Sequence, residues 1–373
     1  MSKALLEQVA KNRKDIKHEV VTYGLSELVN MQRSDDIRIQ PEYQRLFRWS
    51  REQQSLFVES LILEIPVPPL FFYENDDGKW ELLDGLQRLS TIIKFMGLDA
   101  DVPEASRGPS CNDDEWHERT QNDIKQPLQL IAGDYLTEIE GMTFARLPTP
   151  LQLNLKRGRL QLYVLKRETH PSYKYEVFKR LNTTGAKLED QEVRNCGARI
   201  LGDQFPDFLQ KLAKLTTFVD TLVLDDGELR AGKADELVLR YLAMKNWHQL
   251  FKHDVSDHLT KYMEEVSGSK LAFDYVAEEA LFVQTWTLLA AAFPDGRIFH
   301  PKRGGMFSPT VFEIVALAVS LNIDTAKALD ATALCAKLEQ VVVEAKDEGL
   351  TGSGSNSKKK TLGRIAKAKA CLS

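Results

Sequence analysis

The stretch that most constrains this chain lies between Leu70 and Met96, where two extended runs feed without a break into a helical pattern. Leu70-Phe71-Phe72-Tyr73 and Trp80-Glu81-Leu82-Leu83 flank a short polar segment that contains Asp77-Gly78. That dipeptide between apolar runs is a strong hairpin signal, because its residues accept the positive φ angles a tight turn needs. The second run passes directly into Asp84-Gly85, after which Leu89, Ile92, Ile93, Phe95 and Met96 recur with helical spacing. A strand that becomes a helix through glycine leaves the first-turn N–H groups without intrahelical partners, and such a terminus attracts anions.

The flanking sequence extends this into an α+β unit. Tyr23 to Arg33 carries a short helical pattern with Ser26 as its N-cap, and Ile37-Arg38-Ile39 alternates as a strand before Pro41. Ser50 followed by Gln53 reads as a capping box, with Leu56, Phe57, Leu61 and Leu63 continuing an apolar face until Pro66, Pro68 and Pro69. From Asp99 the chain is rich in Pro, Gly, Ser, Asp and Glu, so a surface insertion is expected over about residues 99–158. A strand is expected over 160–165, then helices over 174–181 and 189–199. Beyond 200 the pattern is almost wholly helical, with Ser308-Pro309 as a helix start, a Gly/Ser linker over 351–357, and a last helix opened by Lys358-Lys359-Lys360. The expected division is a first domain over 1–200 and an all-α domain over 201–373.

Composition narrows the function classes. With 43% hydrophobic residues and a net charge of -5, the chain can fill two cores, and bulk attraction to nucleic acid is unfavourable. Cys111, Cys196, Cys335 and Cys371 show no CxxC or Cys/His spacing, which fits reduced thiols. Residues 1–16 lack the apolar core of a signal peptide and no later run approaches membrane-spanning length, so a cytoplasmic, membrane-free protein is expected.

Three clusters can carry chemistry. The first is Tyr43, Gln44 and Arg45, followed by Arg48 and Trp49, where arginine forks suit phosphate and the aromatics suit a base; buried anchors with surface arginines are the plainer alternative. The second is Asp84 to Thr91. Gly85 allows close backbone approach, Arg88, Ser90 and Thr91 follow in the opening turns, and Asp84 can hold Mg²⁺ or orient a water. The alternative makes Asp84 an N-cap paired with Arg88 four residues on. The third is Asn182, Gly185 and Lys187, with Arg194 beyond, which either ends a helix or completes a phosphate pocket.

Taken in order, PxYQRxxxW after a strand, an Asp-Gly-x-Gln-Arg turn opening a helix, and FxxLNxxGxxLxxxExRN resemble the N-terminal domain of GmrSD-type modification-dependent restriction enzymes, a family described by its DGQQR motif. The resemblance spans about residues 20–200. It implies a ParB/sulfiredoxin-like fold that binds, and in some members hydrolyses, a nucleotide to control a nuclease in anti-phage defence. On that basis Asp84, Gln87 and Arg88 are the catalytic candidates. Tyr43, Gln44, Arg45, Arg48, Trp49, Gly85, Ser90, Thr91, Asn182, Gly185 and Lys187 are nucleotide contacts, and Asp84 is the Mg²⁺ ligand. Leu86 stands where the commonest form of the motif has its first Gln.

The leading expectation is a nucleoside triphosphate with Mg²⁺, turned over slowly, and a separately encoded nuclease or defence subunit as partner, with DNA and self-association as further possibilities. A second hypothesis is a DNA adaptor whose basic helix over Lys358 to Lys369 grips phosphates. A nuclease in its own right ranks lowest. His253 and His258 lie five residues apart, about 140° around a helix, and so do not share a metal-binding face.

Overall fold

The computed structural model describes residues 2–14, 16–39, 49–97, 127–169, 171–182, 190–230, 232–300, 306–352, 354 and 356–372. It is a mixed α/β structure whose contacts divide it into two compact units, 1–187 and 188–373.

In the first unit β1 (His18–Gly24), β2 (Ile37–Arg38), β3 (Leu70–Glu74), β4 (Trp80–Asp84) and β5 (Arg159–Leu165) form a five-stranded sheet in the order β1-β5-β3-β4-β2. The β3–β4 hairpin is antiparallel, with Tyr73 opposite Glu81, and Gly78 takes φ +81° in its turn. β3 runs parallel to β5, and β2 parallel to β4. β1 is a finding the local pattern does not announce. Its partner β5 lies far along the chain, with His18 opposite Leu165, and its side chains alternate only between exposed and half-buried.

Helices α1 (Ser2–Lys14), α2 (Leu25–Arg33), α3 (Arg51–Ile62), α4 (Leu86–Met96), α5 (Thr149–Arg157) and α6 (Pro171–Asn182) complete this unit. Helices α2, α3, α4 and α5 pack on one another, and α6 packs on β4. Tyr73, Leu83 and Leu165 form a cluster met by Val177 of α6, which by the two-residue period leaves Phe72 and Leu82 on the opposite face. The expected capping box is present: Ser50 accepts from the Gln53 N–H, and the Gln53 side chain accepts from the Ser50 N–H. Ser26 is not a cap. The N-cap of α2 is Gly24, and the Ser26 hydroxyl donates instead to the Lys156 carbonyl.

Of the insertion expected over 99–158, residues 99–126 lie outside the described residues, and the remainder is packed against the unit. Leu128, Leu130, Ile139, Phe144, Leu147 and Leu155 are all buried, and Phe95 meets Phe144 edge-on. A polar stripe on α3 fastens this returning segment. Arg51 donates to the Gln129 carbonyl at 2.6 Å, Ser55 accepts from the Ile131 N–H at 2.9 Å, and Glu59 accepts from the N–H groups of Asp134, Tyr135 and Leu136. These three residues are spaced four apart and so share a helical face. Polar side chains on α3, Ser55 and Glu59 buried and Arg51 exposed, thereby satisfy a backbone that belongs to no sheet.

The second unit contains α7 (Asp190–Leu201), α8 (Gln204–Ala213), α9 (Thr216–Leu222), α10 (Asp226–Arg230), α11 (Lys233–Asn246), α12 (Val255–Ser267), α13 (Tyr275–Ala292), α14 (Pro309–Leu321), α15 (Ile323–Ala328), α16 (Ala331–Asp347) and α17 (Lys358–Ala370). Helix α7 falls here rather than in a first domain ending at 200, because it packs on α8, α11 and α12. At the centre, α14 is buried from Thr310 to Ser320, as a helix apolar all round must be. Its start is capped by Ser308 ahead of Pro309. Trp286 lies among Phe218, Phe282, Phe299 and Phe312. The helical pattern beyond 200 is interrupted between Ala213 and Thr216 and again between Ala328 and Ala331, where Asp330 caps α16.

Candidate functional site

Strand β4 delivers Asp84 to the sheet end, and Gly85 turns the chain at φ +102°, a conformation disfavoured for any residue with a Cβ. A Cβ there would lie 2.3 Å from Leu70 Cδ2, so packing as well as backbone geometry requires glycine. Gly85 is the N-cap of α4 and offers no capping side chain. The opening turn of α4 lies at the positive end of the helix, where an anion is favoured.

Arg88 is committed inside the protein. One terminal nitrogen donates to the Pro68 and Pro69 carbonyls at 2.6 and 2.7 Å, and the other to Asp84 Oδ2 at 2.7 Å. The i,i+4 pairing anticipated from sequence is thus formed, whereas the capping role for Asp84 is not. Asp84 Oδ1 accepts no hydrogen bond among the described residues, and the carboxylate side chain is 27% exposed. Arg88 holds this acid in place while its second oxygen stays open.

The first and second clusters meet through Gln87. Its Oε1 accepts from the Trp49 N–H at 3.0 Å, and the Trp49 indole packs against Phe57 with ring centres 5.4 Å apart. Helix α6 precedes the third cluster in the chain. β5 runs antiparallel to β4 in space and ends level with its start, after which α6 begins and Lys174 pairs with Glu81 at 2.8 Å. That ion pair is buried, with the Lys174 ammonium 4.4 Å from the Tyr73 ring centre. Burial beneath this cluster pushes the Tyr73 phenol above its ordinary pKa. One turn on, Val177 of α6 meets the Tyr73, Leu83 and Leu165 cluster.

Residues 25–198 match the family model of the GmrSD restriction endonuclease N-terminal domain. They form a GmrSD-type N-terminal domain. The match points to a component of a restriction system. No curated protein and no solved structure matches the chain.

The GmrSD-type match begins at the start of α2 and runs past the division at 187 into α7. Of the residues that the motifs nominate, Asp84, Gly85, Gln87, Arg88 and Trp49 lie together as described. Ser90 is half-buried on α4, whereas Thr91 is fully buried and donates to the Gln87 carbonyl, so its hydroxyl serves the helix. Tyr43, Gln44, Arg45, Arg48, Gly185 and Lys187 lie outside the described residues, and Asn182 is described only as the last residue of α6. Arg194, read as a pocket cation, is buried in the second unit, where it donates to Gln191, Ser256 and Glu236.

Sequence reasoning missed Gln54. Its Nε2 donates to the Trp49 carbonyl at 2.8 Å, its residue is 4% exposed, and its Oε1 is buried without a partner. A polar residue amid the apolar pattern of α3 was the available signal.

Among the described residues no group of three or more His, Cys, Asp or Glu could hold a metal on its own. A single carboxylate beside a helix N-terminus is nonetheless the kind of donor Mg²⁺ takes where phosphate oxygens and waters complete its shell. The histidines of the second unit do other work. Asp254 caps α12, and His258 is buried against Trp247 and Phe251. The basic C-terminal helix is largely absorbed as well. Arg364 is fully buried on Glu313, and Lys367 pairs with Glu344 and Glu348, leaving Lys358, Lys359 and Lys369 exposed. No helix among the described residues is long and apolar enough to cross a membrane.

Proposed function

We propose that this chain is a nucleoside-triphosphate-binding regulatory module of a restriction system, with a ParB/sulfiredoxin-like N-terminal domain that binds the nucleotide at the β4–α4 junction. The observation that carries the reading is the start of α4 at Gly85, which no side chain caps, set beside Asp84, whose Oδ2 is held by Arg88, while Gln87 of the same turn accepts from the Trp49 N–H. Phosphate oxygens would accept from the first-turn N–H groups of α4. Asp84 Oδ1 would ligate Mg²⁺ or orient an attacking water, and Mg²⁺ when bound would neutralise phosphate charge. Arg88, already bonded to Asp84 and two carbonyls, acts by fixing that carboxylate. On the family resemblance, Arg45, Arg48 and Lys187 would supply the cations that meet phosphate, and Asn182 a further contact. Slow hydrolysis would then alter the state of a separate nuclease subunit, as the family resemblance implies.

Calorimetric titration with ATP, GTP, CTP and UTP in the presence of Mg²⁺ tests this. Wild type is expected to show saturable binding to at least one, weakened about tenfold or more in Asp84→Asn, as the loss of one charge-assisted contact predicts. Absence of binding to all four would remove the nucleotide reading and leave the DNA adaptor, whose affinity would fall steeply with salt.

A further inference from the structure

The two edges of the sheet differ sharply in length. β2 is only 2 residues long, whereas β1 runs for 7 and pairs on one side alone, with β5. Which of its main-chain groups face outward follows from the bonds that bracket the ladder. The Lys166 N–H donates to the Lys17 carbonyl at 2.9 Å, and the Leu25 N–H to the Gly158 carbonyl at 2.8 Å. Both continue the β1–β5 register, which steps evenly from His18 opposite Leu165 to Gly24 opposite Arg159. In an antiparallel ladder every second residue bonds its neighbour, so Glu19, Val21 and Tyr23 turn their N–H and C=O groups toward β5. Those of His18, Val20 and Thr22 point away from the sheet, and no described strand meets them.

Edges of this kind are ordinarily blunted by proline, lysine, a bulge or a covering element. β1 reads His-Glu-Val-Val-Thr-Tyr-Gly, with a β-branched run at its centre and an unbroken register. His18, Val20 and Thr22 are exposed, Val20 at 47%. Its one carboxylate, Glu19, is taken up within the sheet by Lys166. Three residues before β1 ends α1, a 13-residue helix that leaves Leu5, Leu6 and Val9 exposed. A helix of that length is marginal without something to pack against.

We propose that β1 is the docking edge for a second copy of this chain, the two β1 strands pairing antiparallel across a two-fold axis so that the two sheets become one. Such an axis requires the edge to be complementary to itself, and outward-facing residues must exchange hydrogen bonds with one another. Of the registers that do so, the one centred on Val21 uses the whole strand. Val20 then bonds Thr22 of the second copy, and the same pair recurs on the other side of the axis. Val21 meets its own counterpart, Glu19 lies opposite Tyr23, and no like charges face each other. β-Branched side chains thus stand opposite β-branched ones, which favours a second copy over an unrelated extended peptide. Edge hydrogen bonds alone fall short of the roughly 1,200 Å² a stable interface buries, and the exposed Leu5, Leu6, Val9 and Val20 supply further apolar area. The proposal does not rest on the nucleotide reading.

Sedimentation of the full chain tests it, in wild type, Thr22→Pro, Val20→Lys/Thr22→Lys and Val20→Lys/Thr22→Glu, with circular dichroism checking that each is folded. Wild type is expected to sediment as a dimer. Thr22→Pro removes an N–H that β5 does not use, so the fold should stay and the dimer dissociate. The double-lysine variant sets like charges opposite each other at both Val20–Thr22 pairs and should weaken the dimer about tenfold or more. The Lys/Glu variant sets opposite charges there and should pair again. If Thr22→Pro unfolds the chain, the two charge variants decide alone. A wild type that is monomeric at about 100 μM, well above the Kd of a stable pair, overturns the proposal and leaves the edge to an extended peptide. So does a dimer that survives the double-lysine variant, or a Lys/Glu variant that pairs no better than the double-lysine one.

Discussion

Arg88 shows how a single residue can hold a local constellation together through internal bonds. Its guanidinium spans Asp84 and the carbonyls of Pro68 and Pro69, so the acid, the start of β3 and the first turn of α4 are one unit. Such a fork suits arginine and not lysine, whose ammonium lacks the planar geometry. At the same scale His258 makes the second unit sensitive to pH. Burial against Trp247 and Phe251 pushes its imidazole down to about 4, from 6.5 in an unfolded chain. Between those values the unfolded chain takes up a proton that the folded one refuses. Stability is therefore full above about 6.5 and is lost as the pH falls toward 4. The urea midpoint should drop more between about pH 7.5 and about pH 4.5 in wild type than in His258→Phe; equal drops would show that this histidine does not contribute.

Among the elements, α3 does the most to tie the first unit together. Its end is capped as Ser50 and Gln53 announce, but its polar stripe of Arg51, Ser55 and Glu59 has no meaning until the segment 129–136 lies beside it. Glu59 is the strongest member, with three main-chain N–H groups on one carboxylate and Gly133 too close for any Cβ. Glu59→Ala should cost about 2–3 kcal/mol in urea denaturation, since buried N–H groups lose a charged acceptor, and Glu59→Gln should recover part of it. A cost below about 0.5 kcal/mol would show that water replaces the carboxylate. Helix α17 makes a parallel point. Its lysines suggest a nucleic-acid helix, whereas Thr361, Arg364, Ile365 and Ala368 are buried and draw it into the core.

At the scale of the whole molecule, the second unit has a core of its own, running from Ala198 to Leu372 and built around α14. Residues 188–373 expressed alone should therefore give a helical circular-dichroism spectrum and one cooperative melting transition; a broad, non-cooperative melt would show that the unit is incomplete. Within that fragment Glu313 bridges Arg240 and Arg364, each at 2.6 Å. Glu313→Gln leaves two buried guanidiniums without their counter-charge and should lower stability by about 3–5 kcal/mol.

What could be read from the sequence was what depends on neighbours along the chain: the Asp77-Gly78 hairpin, the Ser50 and Ser308 caps, the glycine turn into α4, and the family to which residues 25–198 belong. Each is fixed by local sterics or by hydrogen bonds within a few residues, and so leaves a local pattern. Only the tertiary structure decided that His18–Gly24 is a strand, that residues 127–158 belong to the core, that Arg88 and Arg194 are spent on internal partners, and that Gln54 and Gln87 hydrogen-bond to the Trp49 main chain. In those cases the partner lies on another element or across a loop, and a polar side chain has the same appearance in the sequence whether it meets water, a ligand or a buried carbonyl.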